Sequence, residues 1–310
     1  MSAIEDVGGR GAAAPARRLP AALRGWGPAA LFLAPALILL GLFKLWPIAA
    51  AVDASTGVFS PGGVRVGDAG LANYADVLAD ERFRQGLWLS LFAALAKVPV
   101  QVALGLGAAL VLQANSRASA LARAAMVSPM FLGLPVTTFL FAYLFDLNVG
   151  VVNAVLAGMG LPRVAWLTDG TAAQLLVVGL SVWRDVGLTM LVFLAGLGAI
   201  PPQIAQAARL DGAGEWCVLR TITLPLLARS FQFAVVLGTL ASFQMLAPVL
   251  MLTRGGPTGA TDLASFQIYE AAFVYFDLGR ASAMSLVLLL GLMAVIALEI
   301  RWLTVRWTYE

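Results

Sequence analysis

The sequence Gln206-Ala207-Ala208-Arg209-Leu210-Asp211-Gly212-Ala213 forms a polar island between two long apolar stretches, and Ile222-Thr223-Leu224-Pro225 follows it. Half of the island's residues are alanine or glycine, so a short helix made from them can approach another protein closely. Asp-Gly is a frequent turn dipeptide, and glycine commonly ends a helix. The island therefore predicts a short helix and a turn, which serve either as a docking surface or as an ordinary connection.

The composition of the chain is that of a membrane protein. Of the 310 residues, 60% are hydrophobic and 12% are charged, and the mean hydropathy is +0.87. Soluble domains have about 45–50% apolar and about 25% charged residues. Several apolar runs reach the length of about 20 residues that a helix needs to cross a hydrocarbon core of about 30 Å. These features exclude a soluble globular protein.

The apolar runs predict an all-α membrane protein with six transmembrane helices. The predicted spans cover residues 28–51, 87–112, 126–145, 175–200, 230–252 and 281–300. The third span is interrupted by Pro129 and Pro135. Residues 1–27 are predicted to form a disordered basic tail, residues 28–303 the transmembrane domain, and residues 304–310 a short C-terminal tail. The polar stretch 55–84 is expected to form short helices on the outer face.

The positions of lysine and arginine predict the orientation of the chain. With both termini in the cytoplasm, about eleven of the 20 basic residues fall in cytoplasmic segments, about six outside and about three within spans. Short cytoplasmic loops are biased toward Lys and Arg in this way. The loop 201–229, which contains the polar island, is therefore predicted to face the cytoplasm, as are both termini.

Missing residue types argue against several kinds of chemistry. The chain has no histidine, and its one cysteine, Cys217, allows neither an internal disulfide nor a thiolate metal site. It also has no Gly-x-x-x-x-Gly-Lys-Ser/Thr sequence, the usual phosphate-binding loop for ATP. We therefore expect no catalytic residues, no metal site, no cofactor bound by this chain and no nucleic-acid partner.

The polar island and the segment after it resemble the cytoplasmic coupling loop, or EAA loop, of permease subunits from binding-protein-dependent ABC importers. That loop has the pattern Glu-Ala-Ala, three residues, Gly, nine residues, Ile-x-Leu-Pro, and the spacing from Gly212 to Ile222 and Pro225 fits it. In this chain Gln206 replaces the family's glutamate, so a charge-assisted contact becomes a neutral hydrogen bond. The resemblance implies that an ATPase docks on Gln206, Ala207, Ala208, Asp211, Gly212, Ala213 and Pro225.

Further similarity extends over residues 32–303 and is typical of the carbohydrate branch of these importers, the maltose and glycerol-3-phosphate permeases. Its most specific part is Leu252-Thr253-Arg254-Gly255-Gly256-Pro257, followed by Gly279-Arg280-Ala281-Ser282-Ala283. By itself, the Gly-Gly-Pro sequence predicts only a tight turn at the end of a helix. Together with the residues that follow it, the run is similar to the carbohydrate branch in particular and not only to ABC importers at large.

The resemblance implies a type I (MetI-like) importer permease, with a core of five membrane helices and one helix added at the N-terminus. It also implies a second homologous permease subunit, two copies of a cytoplasmic ATPase that binds ATP and Mg, and an extracytoplasmic substrate-binding protein. The chain would lie in the lipid bilayer of a prokaryotic cell membrane. Its function would be to move a sugar or sugar-like solute, such as glycerol-3-phosphate or a related phosphodiester, inward by alternating access without catalysing a reaction.

Lys97, Arg184 and Asp185 fall near the middle of predicted spans, where a charge costs roughly 2.5–3.5 kcal/mol on insertion scales. Lys97 is expected to face protein or water, either in a structural contact between subunits or along the solute path. Because Arg184 and Asp185 are adjacent, they point about 100° apart on a helix and are expected to contact different neighbours. For both of them, structural pairing and gating are open alternatives.

The fifth span carries the main candidates for contact with the solute. In the maltose permease subunit, sugar contacts come from the stretch before the Gly-Gly-Pro turn. The resemblance transfers them to Gly238, Ser242, Gln244, Met245 and Ala247 here, with Phe243 as a face for stacking on a sugar. Ordinary packing between helices explains the same residues equally well.

An ion-coupled secondary transporter of a small polar solute is the alternative from a different class. Its coupling carboxylate would be Asp185. The chain is short, has no detectable two-fold repeat, and offers Asp185 as its one acid at mid-membrane depth. These observations favour the ATP-driven importer.

Overall fold

Long apolar helices make up most of the computed structural model, which describes residues 26–303. The chain divides into two units, residues 1–50 and 51–310. In the first unit, α1 covers Trp26–Leu40 and leads through a π-helical turn, Gly41–Leu45, into α2, Trp46–Ser55, whose last five residues belong to the second unit. None of the residues 30–50 is buried, as expected for a helix whose side chains face lipid. The predicted tails, residues 1–27 and 304–310, lie outside the described residues apart from positions 26 and 27, which belong to α1.

In the second unit, the end of α2 is followed by a small hairpin and then by helices of very different lengths. The hairpin consists of β1, Gly57–Phe59, and β2, Arg65–Asp68. The helices up to the polar island are α3 Ala72–Ala79, α4 Glu81–Leu112, α5 Arg117–Val127, α6 Leu134–Leu144, α7 Val151–Gly158 and α8 Gly170–Ala199. Those after it are α9 Pro202–Leu210, α10 Glu215–Val218, α11 Leu224–Leu226, α12 Ala228–Phe243, α13 Leu246–Pro248, α14 Ala264–Tyr269 and α15 Leu278–Leu303.

Five helical segments of the described chain are long and apolar enough to cross a membrane. They are Ala30–Ser55, Glu81–Leu112, Gly170–Ala199, Ala228–Thr253 and Leu278–Leu303. A sixth is formed by Arg117–Phe131 and Leu134–Leu144 if this bent pair counts as one span. The structure is thus an all-α membrane fold with five or six spans, and its helices extend several residues beyond the predicted limits because polar ends also adopt helical structure.

The third span is sharply bent. Its two helices meet at an angle of 101°, through a 3₁₀ turn at Ser128–Phe131. Pro129 lies in that turn, and Pro135 lies in the first turn of α6, where its missing N–H leaves no hydrogen bond unmade. The predicted interruption at these two prolines is a change of direction and not a mild kink.

The segment 55–84 differs from its prediction, because a β-hairpin precedes the helix. The strands are antiparallel, with Gly57 opposite Asp68, and the Asn73 side chain donates to the Ser55 and Gly57 carbonyls at 2.9 and 3.0 Å. Gly62-Gly63 between two valine-containing runs is a hairpin signal that outweighs helix propensity here. Only α3 in this segment is a separate short helix.

Helices α4, α8 and α12 pack together and form the centre of the second unit. Close approach depends on glycines: a Cβ on Gly105 of α4 would lie 2.6 Å from the Thr189 side chain, and one on Gly187 of α8 would lie 2.2 Å from the Met126 carbonyl oxygen. Buried Met190, Phe193 and neighbouring apolar residues fill the space between these helices. The charged residues at mid-span are therefore held by a tightly packed three-helix centre.

Candidate functional site

The polar island folds as a short helix that ends in a Schellman turn. At the end of α9, the Gly212 N–H donates to the Arg209 carbonyl at 3.1 Å, and the Ala213 N–H donates to the Ala208 carbonyl at 2.9 Å. Gly212 has a left-handed backbone, with φ of 87°, which side chains with a Cβ rarely adopt. The glycine of the Asp-Gly dipeptide is thus required by the shape of the turn.

A charged pair connects the two helices that flank this turn. The Arg209 guanidinium donates from Nε and Nη2 to the two carboxylate oxygens of Glu215, at 2.8 and 3.0 Å. Hydrogen bonds from Arg209 hold the pKa of the Glu215 carboxyl below its usual range, so this pair is ionised at neutral pH. Because the contact is bidentate, it fixes the direction of α10 relative to α9.

The surface of the island combines small polar residues with two large apolar ones. Among the predicted docking residues, Gln206, Ala207, Asp211, Gly212 and Pro225 are exposed, and Ala208 and Ala213 are half-buried. Beside them, Leu210 is 89% exposed and Trp216 is 71% exposed. Sequence analysis missed these two side chains, although a leucine and a tryptophan in a polar loop are the signal that would have indicated them.

The segment after the island joins it to the fifth span. Residues Leu219–Thr223 form a π-helical turn, and Pro225 lies in the short helix α11 that precedes α12. A cavity of about 640 Å³ lies between the island and the ends of α4 and α8, lined by residues that include Gln113, Pro201 and Trp216. The island is therefore connected through the chain to α8 and α12, and it lies close to the end of α4.

Lys97 and Asp185 form an ion pair within the chain. The distance from Lys97 Nζ to Asp185 Oδ2 is 2.6 Å, and the Lys97 side chain is 1% exposed while that of Asp185 is 27% exposed. One helical turn further along, Gln101 Nε2 donates to the Thr189 hydroxyl at 2.7 Å. The structural contact expected for Lys97 thus connects α4 to α8 and not one subunit to another.

Arg184 does not share the partner of its neighbour, as the angle between adjacent helical residues predicts. It is half-buried, and its buried Nε has no hydrogen-bond partner among residues 26–303. A guanidinium in this position is unusual, because buried polar groups are nearly always hydrogen-bonded.

Of the six candidates on the fifth span, four are packing residues in this structure, and a fifth, Ala247, is half-buried. The Ser242 hydroxyl donates to the Gly238 carbonyl at 2.7 Å, and Gly238 itself faces Val98. Phe243 and Met245 are buried in apolar clusters. Gln244 alone is exposed, at the point where α12 ends at Phe243 and α13 begins at Leu246. A break in the helix therefore presents one amide side chain away from the packed interior.

A second polar network, which was not predicted, lies at the end of α4 that is distant from the polar island. Arg82, near the start of α4, contacts Asp262 at 2.7 Å and Glu270 at 2.6 Å, both in the segment after the Gly-Gly-Pro turn. Burial raises the pKa of the Asp262 carboxyl, while the Arg82 guanidinium opposes this rise. Gln267 Nε2 also donates to the Arg82 carbonyl at 2.9 Å. The network fastens the outer segment 254–277 to α4, and residues so distant in sequence give no local signal.

Known proteins match most of the chain. A family model described as "binding-protein-dependent transport system inner membrane component" matches residues 101–304. The sn-glycerol-3-phosphate transport system permease protein UgpA of Agrobacterium fabrum is 31% identical over 282 residues, which cover 90% of this chain and 95% of that protein. The sulfoquinovosyl glycerol transport system permease protein SmoG of the same organism is 32% identical over 274 residues, covering 88% and 89%.

Solved structures are similar in fold. A chain from the crystal structure of a bacterial alginate ABC transporter, in complex with an alginate pentasaccharide-bound periplasmic protein, aligns with a TM-score of 0.75 at 18% identity. The alignment covers 90% of this chain and 95% of that one. From the family match and the two relatives, the chain belongs to the inner-membrane permease components of binding-protein-dependent ABC importers.

Proposed function

We propose that the chain moves a sugar or sugar-like solute inward across a prokaryotic cell membrane, driven by ATP hydrolysis on a separate subunit. The observation that carries this proposal is the folded coupling loop, in which a Schellman turn at Gly212 presents Leu210 and Trp216 to solvent. Large exposed apolar side chains on a polar loop are typical of a protein interface. Relatives named for sn-glycerol-3-phosphate and sulfoquinovosyl glycerol transport support glycerol-3-phosphate, a related phosphodiester or a sugar as the solute.

The proposed machine contains four kinds of subunit. Two copies of a cytoplasmic ATPase bind ATP and Mg and contact the coupling loop, while a second homologous permease completes the solute path. A substrate-binding protein delivers the solute from outside, as in the alginate transporter that binds a loaded periplasmic protein. Both termini and the loop 201–229 lie in the cytoplasm in this arrangement, in keeping with the bias of short cytoplasmic loops toward Lys and Arg.

The coupling loop can pass a displacement to the spans because it is locally rigid. The Arg209–Glu215 contact holds α9 and α10 together, and the chain continues from them without a flexible linker into α8 on one side and α12 on the other. When the ATPases close, both spans move with the loop, and alternating access follows. Gln244 is the fifth-span side chain that meets the solute in this proposal, since it is exposed at a break in the helix.

The native cysteine allows a direct test of the docking surface. Cys217 is exposed in α10, beside Trp216, and is the one cysteine of the chain. A short thiol-directed photo-cross-linker on Cys217 should capture the ATPase in assembled complex, and a membrane-impermeant thiol reagent should reach Cys217 from the cytoplasmic side only. The Cys217→Ser variant is the control for background capture. Labelling from the outer side alone, or capture of no ATPase, would contradict the proposal.

The alternative of an ion-coupled secondary transporter receives no support from the family or the relatives. Its required carboxylate, Asp185, is also held by Lys97 at 2.6 Å. Transport should accordingly stop when ATP hydrolysis stops, even in the presence of a proton or sodium gradient.

A further inference from the structure

One positive charge at the centre of the spans has no counter-charge within the described chain. Arg184 is the fifteenth of the 30 residues of α8, so it lies at the middle of that span. The nearby Lys97 and Asp185 neutralise each other through their contact at 2.6 Å. Arg184 makes no hydrogen bond or ion pair with any of residues 26–303, and its buried Nε has no acceptor. The three charged groups together therefore leave one net positive charge.

Other acids of the described spans are too far along their helices to compensate Arg184. Besides Asp185, these acids are Asp53, Glu81 and Glu299. Asp53 and Glu81 stand at the ends of their helices, and Glu299 lies near the end of α15, where it accepts a hydrogen bond from Thr239 at 2.6 Å. An unpaired guanidinium at mid-membrane depth is unfavourable, and such residues are retained mainly for function. The counter-charge must come from outside these residues.

Arg184 and Asp185 are partly accessible, whereas Lys97 is not. The Lys97 side chain is 1% exposed, whereas that of Asp185 is 27% exposed and Arg184 is half-buried. A molecule that reaches this place thus meets a carboxylate already neutralised by Lys97 and a guanidinium that is free to donate. The planar guanidinium is suited to two parallel hydrogen bonds with a phosphate, sulfonate or carboxylate group.

We propose that Arg184 binds the negatively charged group of an anionic solute, a sugar or polyol carrying a phosphate, sulfonate or carboxylate, as it passes through the membrane. This inference rests on the proposed import function and narrows the solute class. A neutral sugar offers only hydroxyl groups and would leave the guanidinium uncompensated. An acid on the partner permease is the competing source of counter-charge, and it is distinguished below by its effect on assembly.

The test uses the complete complex in proteoliposomes with ATP inside and its binding protein outside. The probes are sn-glycerol-3-phosphate and digalacturonate, which are acidic, and maltose, which is neutral. Arg184→Gln should lower uptake of the accepted acidic probe by about 10-fold to 100-fold, the range for losing a hydrogen bond to a charged group. Arg184→Lys should retain part of the uptake because it keeps the charge. Arg163→Gln, which removes an exposed arginine outside the spans, should leave uptake unchanged.

Each other outcome has a distinct meaning. Uptake of maltose alone, or acidic uptake that Arg184→Gln does not diminish, would overturn the inference and leave the importer function intact. Loss of the partner permease from purified Arg184→Gln complex would also overturn it, because the counter-charge would then be an acid of that subunit. An unchanged or higher melting temperature of the Arg184→Gln complex is expected, since an uncompensated charge has been removed. Absence of ATP-driven uptake of all three probes by the wild-type complex would contradict the proposed function itself.

Discussion

Replacing Gly212 by alanine isolates the contribution of backbone shape to coupling. The new methyl group would enter open space, because no atom outside the adjacent residues lies within 4 Å of a Cβ at Gly212. The substitution therefore removes no contact of the loop. What it changes is the backbone, since alanine must adopt the left-handed conformation with φ of 87°.

The magnitude follows from that conformation. A left-handed residue with a Cβ costs roughly 1–2 kcal/mol, which is a factor of about 5–30 against the turn. Gly214 provides a matched control, because its surroundings are equally open but its φ is −71°, which alanine adopts without strain. Gly212→Ala should open the Schellman turn, whereas Gly214→Ala should leave it closed.

Two assays report on this difference. In assembled complex, Gly212→Ala should lower the ATP hydrolysis that loaded binding protein stimulates, while Gly214→Ala should retain it. The backbone amides at positions 212 and 213 should exchange hydrogen about 5–30 times faster in the Gly212→Ala variant than in the wild type, because their hydrogen bonds to the carbonyls of α9 are lost when the turn opens. Equal exchange and equal stimulation in the two variants would refute the argument that the turn's backbone requires glycine.

Three further predictions concern the spans and the loop. Lys97→Met should destabilise the complex by about 3–5 kcal/mol, because it leaves the Asp185 carboxylate without its partner. The value should fall at the lower end of this range because Asp185 is 27% exposed. Adding Asp185→Leu removes the unpaired charge and should recover part of the lost melting temperature. Gly187→Ala should lower the melting temperature through overpacking of about 1–3 kcal/mol against the backbone of the third span, whereas Gly179→Ala on the same helix, which meets open space, should not. The lowered pKa of Glu215 means that its ion pair with Arg209 is present above the usual glutamate pKa of about 4.3 and is lost only as the pH falls through the lower folded pKa. After correction for the pH dependence of intrinsic exchange, the protection of the loop amides should therefore fall only in that acidic range, and Glu215→Gln should abolish this fall.

Much of the coupling loop was predictable because its determinants are local. A run of small residues followed by Asp-Gly predicts a short helix and a tight turn. The helix is present at Pro202–Leu210 and the turn at Gly212. The hairpin at 57–68 was missed, although its signal is equally local, because Gly62-Gly63 was taken as part of a helical segment. The exposure of Leu210 and Trp216 was not predicted, although two large apolar residues in a polar loop are a local signal.

The charged centre shows where local information ends. Because Arg184 and Asp185 are neighbours on a helix, their side chains are predicted to point in different directions, and in the structure they do not share a partner. The sequence of α8 alone does not predict which residues these two side chains contact. Lys97 and Asp185 are 88 residues apart, and they meet only because α4 and α8 pack side by side.

The amino-acid sequence determined the membrane environment, the approximate positions of the spans and the shape of the coupling turn, because hydropathy and backbone preference act over a few residues or one helix. Only the tertiary structure decided that Lys97 pairs within the chain, that Arg82 fastens the outer segment to α4, and that Gln244 is exposed while Ser242, Phe243 and Met245 are buried. These outcomes depend on which helix faces lie against each other. That choice is set by the fit of many side chains at once, including glycines at points of close approach, and no single segment specifies it.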